Sequence, residues 1–153
     1  MNPTQVQLVQ ESFEQVKPIV NVAADLFYNR LFELDPNLRP LFKSDLSQQK
    51  HNLMTTLAFA VAGLNKPDKI LPAVRQLGAR HVGYGVEDHH YQTVGEALLW
   101  TLGQGLGEQF TPEVKEAWTA TYTLLAQTMQ EGSKEHQVTM AYESRQLPVG
   151  QPA

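Results

Sequence analysis

Apolar residues recur along this chain at spacings of three and four, and nowhere do they alternate with polar residues convincingly enough to make a strand. A period near 3.6 lays an apolar stripe along one face of an α-helix, whereas a half-buried strand needs a period of two. The sequence therefore predicts an all-α protein. Val94, Leu98, Leu102 and Leu106 form one such face, and Val114, Trp118, Tyr122, Leu125 and Met129 form another. A third consists of Ile70, Val74, Leu77 and His81, at spacings of 4, 3 and 4, so that an imidazole occupies the last place on an apolar stripe.

Pro and Gly punctuate these segments. Thr4-Gln5-Val6-Gln7 fits a capping box ahead of Leu8, Val9, Phe13 and Val16, and Pro18 marks the next break. A second helix carries Ala24, Phe27, Tyr28, Leu31 and Leu34. Asp35-Pro36 reads as an N-cap with Pro in the first turn of a short helix toward Phe42. A long helix is expected over about 47–64, with Gln49, Leu53, Leu57 and Val61 on one face. Asp68 is placed as the cap of the helix that ends in His81, Gly83-Tyr84-Gly85 as its stop, and Asp88 as the cap of the next. Gly105 and Gly107 end that helix, and Thr111-Pro112 opens the last. About seven helices of unequal length, broken abruptly, suit crossed packing better than a parallel bundle.

At 153 residues, 42% of them hydrophobic, the chain suits one domain with a substantial core. Residues 1–132 are expected to form it, and 133–153 a polar, partly disordered tail containing Pro148, Gly150 and Pro152. Twelve basic and 16 acidic residues leave a net charge of -4 without a basic patch, which argues against nucleic acid or a membrane surface as partner. With no cysteine, disulfides, thiolate nucleophiles and Cys-based metal sites are excluded. The first five residues lack the basic and apolar segments of a signal peptide, and the longest apolar stretch, 57–64, cannot span a bilayer. A cytoplasmic protein is expected, a monomer or weak dimer.

A lone His on an apolar face is more often a satisfied core residue than a ligand. A neutral imidazole can, however, bind a metal through one nitrogen while the other donates a hydrogen bond, and one protein His suffices to hold haem iron from one side. The company of His81 favours the second reading. Asp35-Pro36-Asn37-Leu38-Arg39-Pro40-Leu41-Phe42 resembles the short globin helix ending in the Phe that stacks on haem. Leu77-Gly78-Ala79-Arg80-His81 resembles the globin segment ending in the proximal His, while the stretches 94–99 and 117–122 resemble the two closing globin helices. From about Thr4 to Met129 the chain is similar to bacterial single-domain globins, the haem domain of flavohaemoglobins and neuroglobin-like proteins.

The resemblance implies haem b, iron protoporphyrin IX, with His81 as axial iron ligand. Phe42 would pack on the porphyrin, with Tyr28 and Gln49 on the distal side and Leu53 walling that pocket. Leu77 would lie under the ring, its backbone carbonyl accepting the proton of the other imidazole nitrogen. Tyr91, ten residues past His81, corresponds to a Tyr that contacts the proximal His and a late Glu in flavohaemoglobin-type domains. Here that late place reads Ser133, between Glu131 and Glu135, so Tyr91 is read mainly as a packing residue. His89 and His90 fall near a propionate by the same resemblance, although paired His at a helix start are usually just exposed. His51 competes with Gln49 for the distal side, but two residues are about 200° apart on a helix, so only one can face the pocket.

Dioxygen, carbon monoxide and nitric oxide are the implied ligands. A Tyr hydroxyl and a Gln amide both donate hydrogen bonds, each contributing about 1–3 kcal/mol to a partly charged gas. The implied function is reversible dioxygen binding as carrier, store or scavenger. Nitric-oxide dioxygenation is the enzymatic alternative; it requires re-reduction of the iron, and with about 20 residues after the last helix a separate reductase is expected. Peroxidase or nitrite-reductase activity is a weaker expectation. A gas or redox sensor is a third reading.

Overall fold

The computed structural model describes residues 1–42, 45–83 and 86–146, with side chains described as far as residue 136. The described residues form helices and no strand. The six α-helices are α1 (Pro3–Val16), α2 (Val20–Leu34), α3 (Leu46–Ala62), α4 (Pro67–Gly83), α5 (Asp88–Leu106) and α6 (Pro112–Gln146). Single 3-10 stretches follow α1, α2 and α5, at Lys17–Ile19, Pro36–Leu41 and Gly107–Gln109.

Local chemistry explains most boundaries. Asp35 caps the 3-10 stretch by accepting from the Asn37 backbone N–H at 3.0 Å. Asp45 caps α3 in the same way through Ser47. Gly107 adopts φ 58°, a left-handed conformation that suits Gly and stops α5. At Thr111-Pro112 the Thr hydroxyl accepts from the Val114 N–H, with Pro in the first turn of α6.

Three caps differ from the sequence reading. Asn2, not Thr4, closes the capping box of α1 with Gln5, because Pro3 starts the helix two residues earlier. Pro67 opens α4, which moves Asp68 into the first turn, where its charge favours the helix N-terminus. Glu87 caps α5 and exchanges hydrogen bonds with His90, so Asp88 is already helical. Gly132 does not end α6. Of the stop read at Gly83-Tyr84-Gly85, residues 84 and 85 lie outside the described residues, as do 147–153.

Helix α2 packs across α5, α1 lies on α6, and α4 runs along α6. Trp118, Val9 and Leu31 are almost wholly buried where these layers meet. The Trp118 indole N–H donates to the Ser12 hydroxyl at 2.8 Å, which satisfies the one polar atom of that buried side chain. The α4–α6 crossing is tight. A Cβ at Gly78 would collide with the Met129 backbone, and one at Gly132 with the Arg75 backbone. Two glycines therefore let the helices approach at backbone distance. Three residues beyond Gly78 is His81.

Candidate haem site

Burial follows the predicted stripe on α4. Ile70 and Val74 are buried, and Leu77 and His81 half-buried. The His81 Nδ1 lies 2.7 Å from the Leu77 backbone oxygen. A carbonyl can only accept, so Nδ1 carries the proton and Nε2 is the unprotonated nitrogen, the one a metal would use. Burial holds the imidazole pKa below its usual value; the Leu77 bond opposes that and the Arg80 charge adds to it. The ring is thus kept neutral, as a metal ligand must be.

A second group forms around Tyr28. Its ring meets Phe27 and Phe42 edge-on, with centroids 5.0 and 5.5 Å away, and Phe32 closes the cluster on Phe42. The Tyr28 hydroxyl donates to the Gln49 backbone carbonyl at 3.2 Å. Tyr28 is buried, and burial pushes its phenol up to about 12. Gln49, in the first turn of α3, is half-buried, whereas His51 is exposed. Leu53 is half-buried against the core.

The third group surrounds Tyr91, which is buried. Its carbonyl accepts from the Tyr122 hydroxyl at 2.5 Å. Its own hydroxyl is buried and makes no hydrogen bond of ordinary geometry among the described residues, although Ser133 is close enough to oppose the rise in pKa that burial causes. Ser133 donates instead to the Gly78 carbonyl at 2.7 Å, joining α6 to α4 one turn before His81. Glu131 and Glu135 turn outward to Arg75, at 3.1 and 3.3 Å. No late carboxylate is therefore offered to the proximal side by this part of α6.

These residues fit haem. The His81 imidazole is neutral, the Tyr28 phenol is protonated and able to donate, and Phe42, Leu53, Leu57, Leu77 and Val94 come from several elements. The protein leaves each of these apolar side chains only half-covered, as a flat apolar ring would require. The sequence reading missed the Gln49 carbonyl, the Ser133 tie and the Gly78/Gly132 pair. The two glycines inside apolar helices were the available signal for the pair.

The family model for Globin matches residues 25–129. The chain belongs to the globin family. This globin is 35% identical over 104 residues to the flavohemoprotein of Bacillus subtilis, a match covering 65% of the chain and 26% of that protein. The flavohemoprotein of Oceanobacillus iheyensis is 31% identical over 136 residues, covering 82% of the chain and 34% of the relative. The globin thus spans about a quarter to a third of these curated relatives. An engineered carbene transferase from Rhodothermus marinus, RmaNOD, assigned by name as a nitric oxide dioxygenase, superposes with a TM-score of 0.81 at 25% identity. That match covers 94% of this chain and 99% of the other. A hexacoordinated heme protein from an anhydrobiotic tardigrade shares the fold, with a TM-score of 0.79 at 15% identity over 88% of this chain and 96% of the other.

Proposed function

We propose that this globin holds haem b through His81 and binds dioxygen reversibly, with Tyr28 and Gln49 as distal donors and Phe42, Leu53 and Leu77 against the ring. The observation that carries the reading is the His81 Nδ1–H held on the Leu77 carbonyl, which aims a neutral nitrogen away from its own helix backbone. Bound haem would supply an iron with a position open to dioxygen, carbon monoxide or nitric oxide.

The protein's part is orientation and hydrogen bonding. Leu77 holds the imidazole in one tautomer without a formal negative charge behind it. Tyr28 stays a neutral phenol, and therefore a donor, far above neutral pH. A hydroxyl has one proton, so donation to a gas means turning from the Gln49 carbonyl. The Gln49 side-chain amide offers a second donor. His51, being exposed, supports a site not closed by a second imidazole. Storage, transport or scavenging of dioxygen all use these same contacts.

The Rhodothermus marinus neighbour, named for nitric oxide dioxygenation, favours a second reading, that same reaction with electrons from a separate reductase. One experiment bears on both: visible absorption spectra of the purified protein when ferric, then anaerobically reduced, then exposed to oxygen. A single broad visible band on reduction, replaced by two bands in oxygen, is expected. No haem band after reconstitution would return His81 to a core role. Sharp split bands in the reduced protein would mean a second protein ligand and would overturn the open site.

A further inference from the structure

The junction between the 3-10 stretch and α5 holds a cluster outside the residues proposed above to hold the haem. Asp35, His89 and His90 each present one ligand atom, and these atoms lie within 4.8 Å of one another. We propose that they form a second metal site, for a borderline divalent cation of the zinc class.

The donor set selects the class of ion. Two imidazole nitrogens and one carboxylate suit zinc, nickel or copper, whereas magnesium and calcium prefer oxygen alone. Three protein ligands leave a zinc coordination position for water. The surroundings also orient the ligands. Glu87 Oε2 lies 3.4 Å from His89 Nδ1, placing a carboxylate behind that ring so that Nε2 is the nitrogen left for a metal. The His89 and His90 ring centroids lie 4.2 Å apart with the ring planes tilted by 55°. Asp35 Oδ1 is held by the Asn37 N–H, which fixes the carboxylate and leaves its other oxygen. His89 and Glu87 are exposed, so a cation can reach the site from solvent.

His90 Nδ1 accepts from the Glu87 backbone N–H at 2.9 Å, which places its proton on Nε2. Coordination through Nε2 moves that proton to Nδ1, which can then no longer accept from Glu87, whereas coordination through Nδ1 replaces the cap directly. Either route costs one exposed hydrogen bond of the capping box. In return the ion joins Asp35, at the root of the segment that ends in Phe42, to the first turn of α5, which follows His81 in the chain. Binding would thus brace the two stretches that carry Phe42 and His81, and would stabilise the folded state with the logarithm of one plus the ratio of zinc concentration to Kd.

The test is calorimetric titration of the full chain with zinc chloride in chelator-treated buffer, followed by zinc-edge X-ray absorption at one equivalent. One equivalent should bind with imidazole scattering in the spectrum. Asp35→Asn, which keeps the N-cap, and His89→Gln, at an exposed position, should each weaken binding by about tenfold or more. His51→Gln, on the exposed face of α3, should leave it unchanged. Binding no tighter than about 1 mM, affinity unaltered by both Asp35→Asn and His89→Gln, or a spectrum without imidazole would overturn the site.

Discussion

Replacing Tyr28 by Phe removes one oxygen and leaves the aromatic cluster in place, so its consequences can be worked from two hydrogen bonds. In the structure the hydroxyl donates to the Gln49 carbonyl at 3.2 Å, a neutral bond contributing about 0.5–1.5 kcal/mol. That carbonyl is also part of the α3 helical ladder, which keeps the cost of releasing Tyr28 toward the lower end. Donation to partly charged dioxygen contributes about 1.5–3 kcal/mol. The proton cannot serve both, so the net gain for the gas is the difference, about 1–2 kcal/mol, or roughly 5- to 30-fold. Tyr28→Phe should therefore speed oxygen release by that factor, read by stopped-flow displacement of oxygen with carbon monoxide. Unfolding of the haem-free protein should meanwhile lose about 1 kcal/mol, lowering Tm by about 2–4 °C. A release rate within twofold of the parent, in a variant showing that stability loss, would remove Tyr28 from the distal role while keeping its hydrogen bond to Gln49.

Gly78→Ala and Gly132→Ala should each cost about 1–3 kcal/mol in chemical denaturation and hasten haem loss to an acceptor protein, because an added Cβ pushes α4 from α6 next to His81; parental haem retention in both would show that this crossing does not position the imidazole. Trp118→Phe should lose about 2–3 kcal/mol, combining the Ser12 hydrogen bond with the space left by the smaller ring, and thermal unfolding will check this. Burial raises the phenols of Tyr28, to about 12, and of Tyr122. The unfolded chain therefore releases these protons first, and stability is full below pH 10 and falls as pH rises toward the folded values. Denaturation between pH 8 and 12 should show that decline, and Tyr28→Phe combined with Tyr122→Phe should flatten it.

The apolar stripes made the helices and the all-α class legible, because a period near 3.6 is a local property of the chain. His81, Leu77 and their four-residue spacing were equally legible, since an imidazole and the carbonyl one turn earlier share a helix face. The register of α3 was readable for the same reason: Gln49 and Leu53 turn inward and His51 outward. Helix starts were less so. Asn2, Pro67 and Glu87 displaced Thr4, Asp68 and Asp88 by one or two residues, because several residues can cap and neighbouring packing selects among them.

Contacts between distant segments were decided only in three dimensions. Gly132 has the composition of a helix stop, yet in place it admits the Arg75 backbone and lets α6 continue. Ser133 stands where resemblance looked for a carboxylate, and it bonds the Gly78 carbonyl while Glu131 and Glu135 face Arg75. Asp35 and the pair His89 and His90 lie far apart in the chain and meet only when the two ends of the Phe42 and His81 segments are brought side by side. Periodicity is written within a single helix turn by turn. Which backbone approaches which, and which polar atom is left to answer it, depends on the crossing of helices that the chain places far apart.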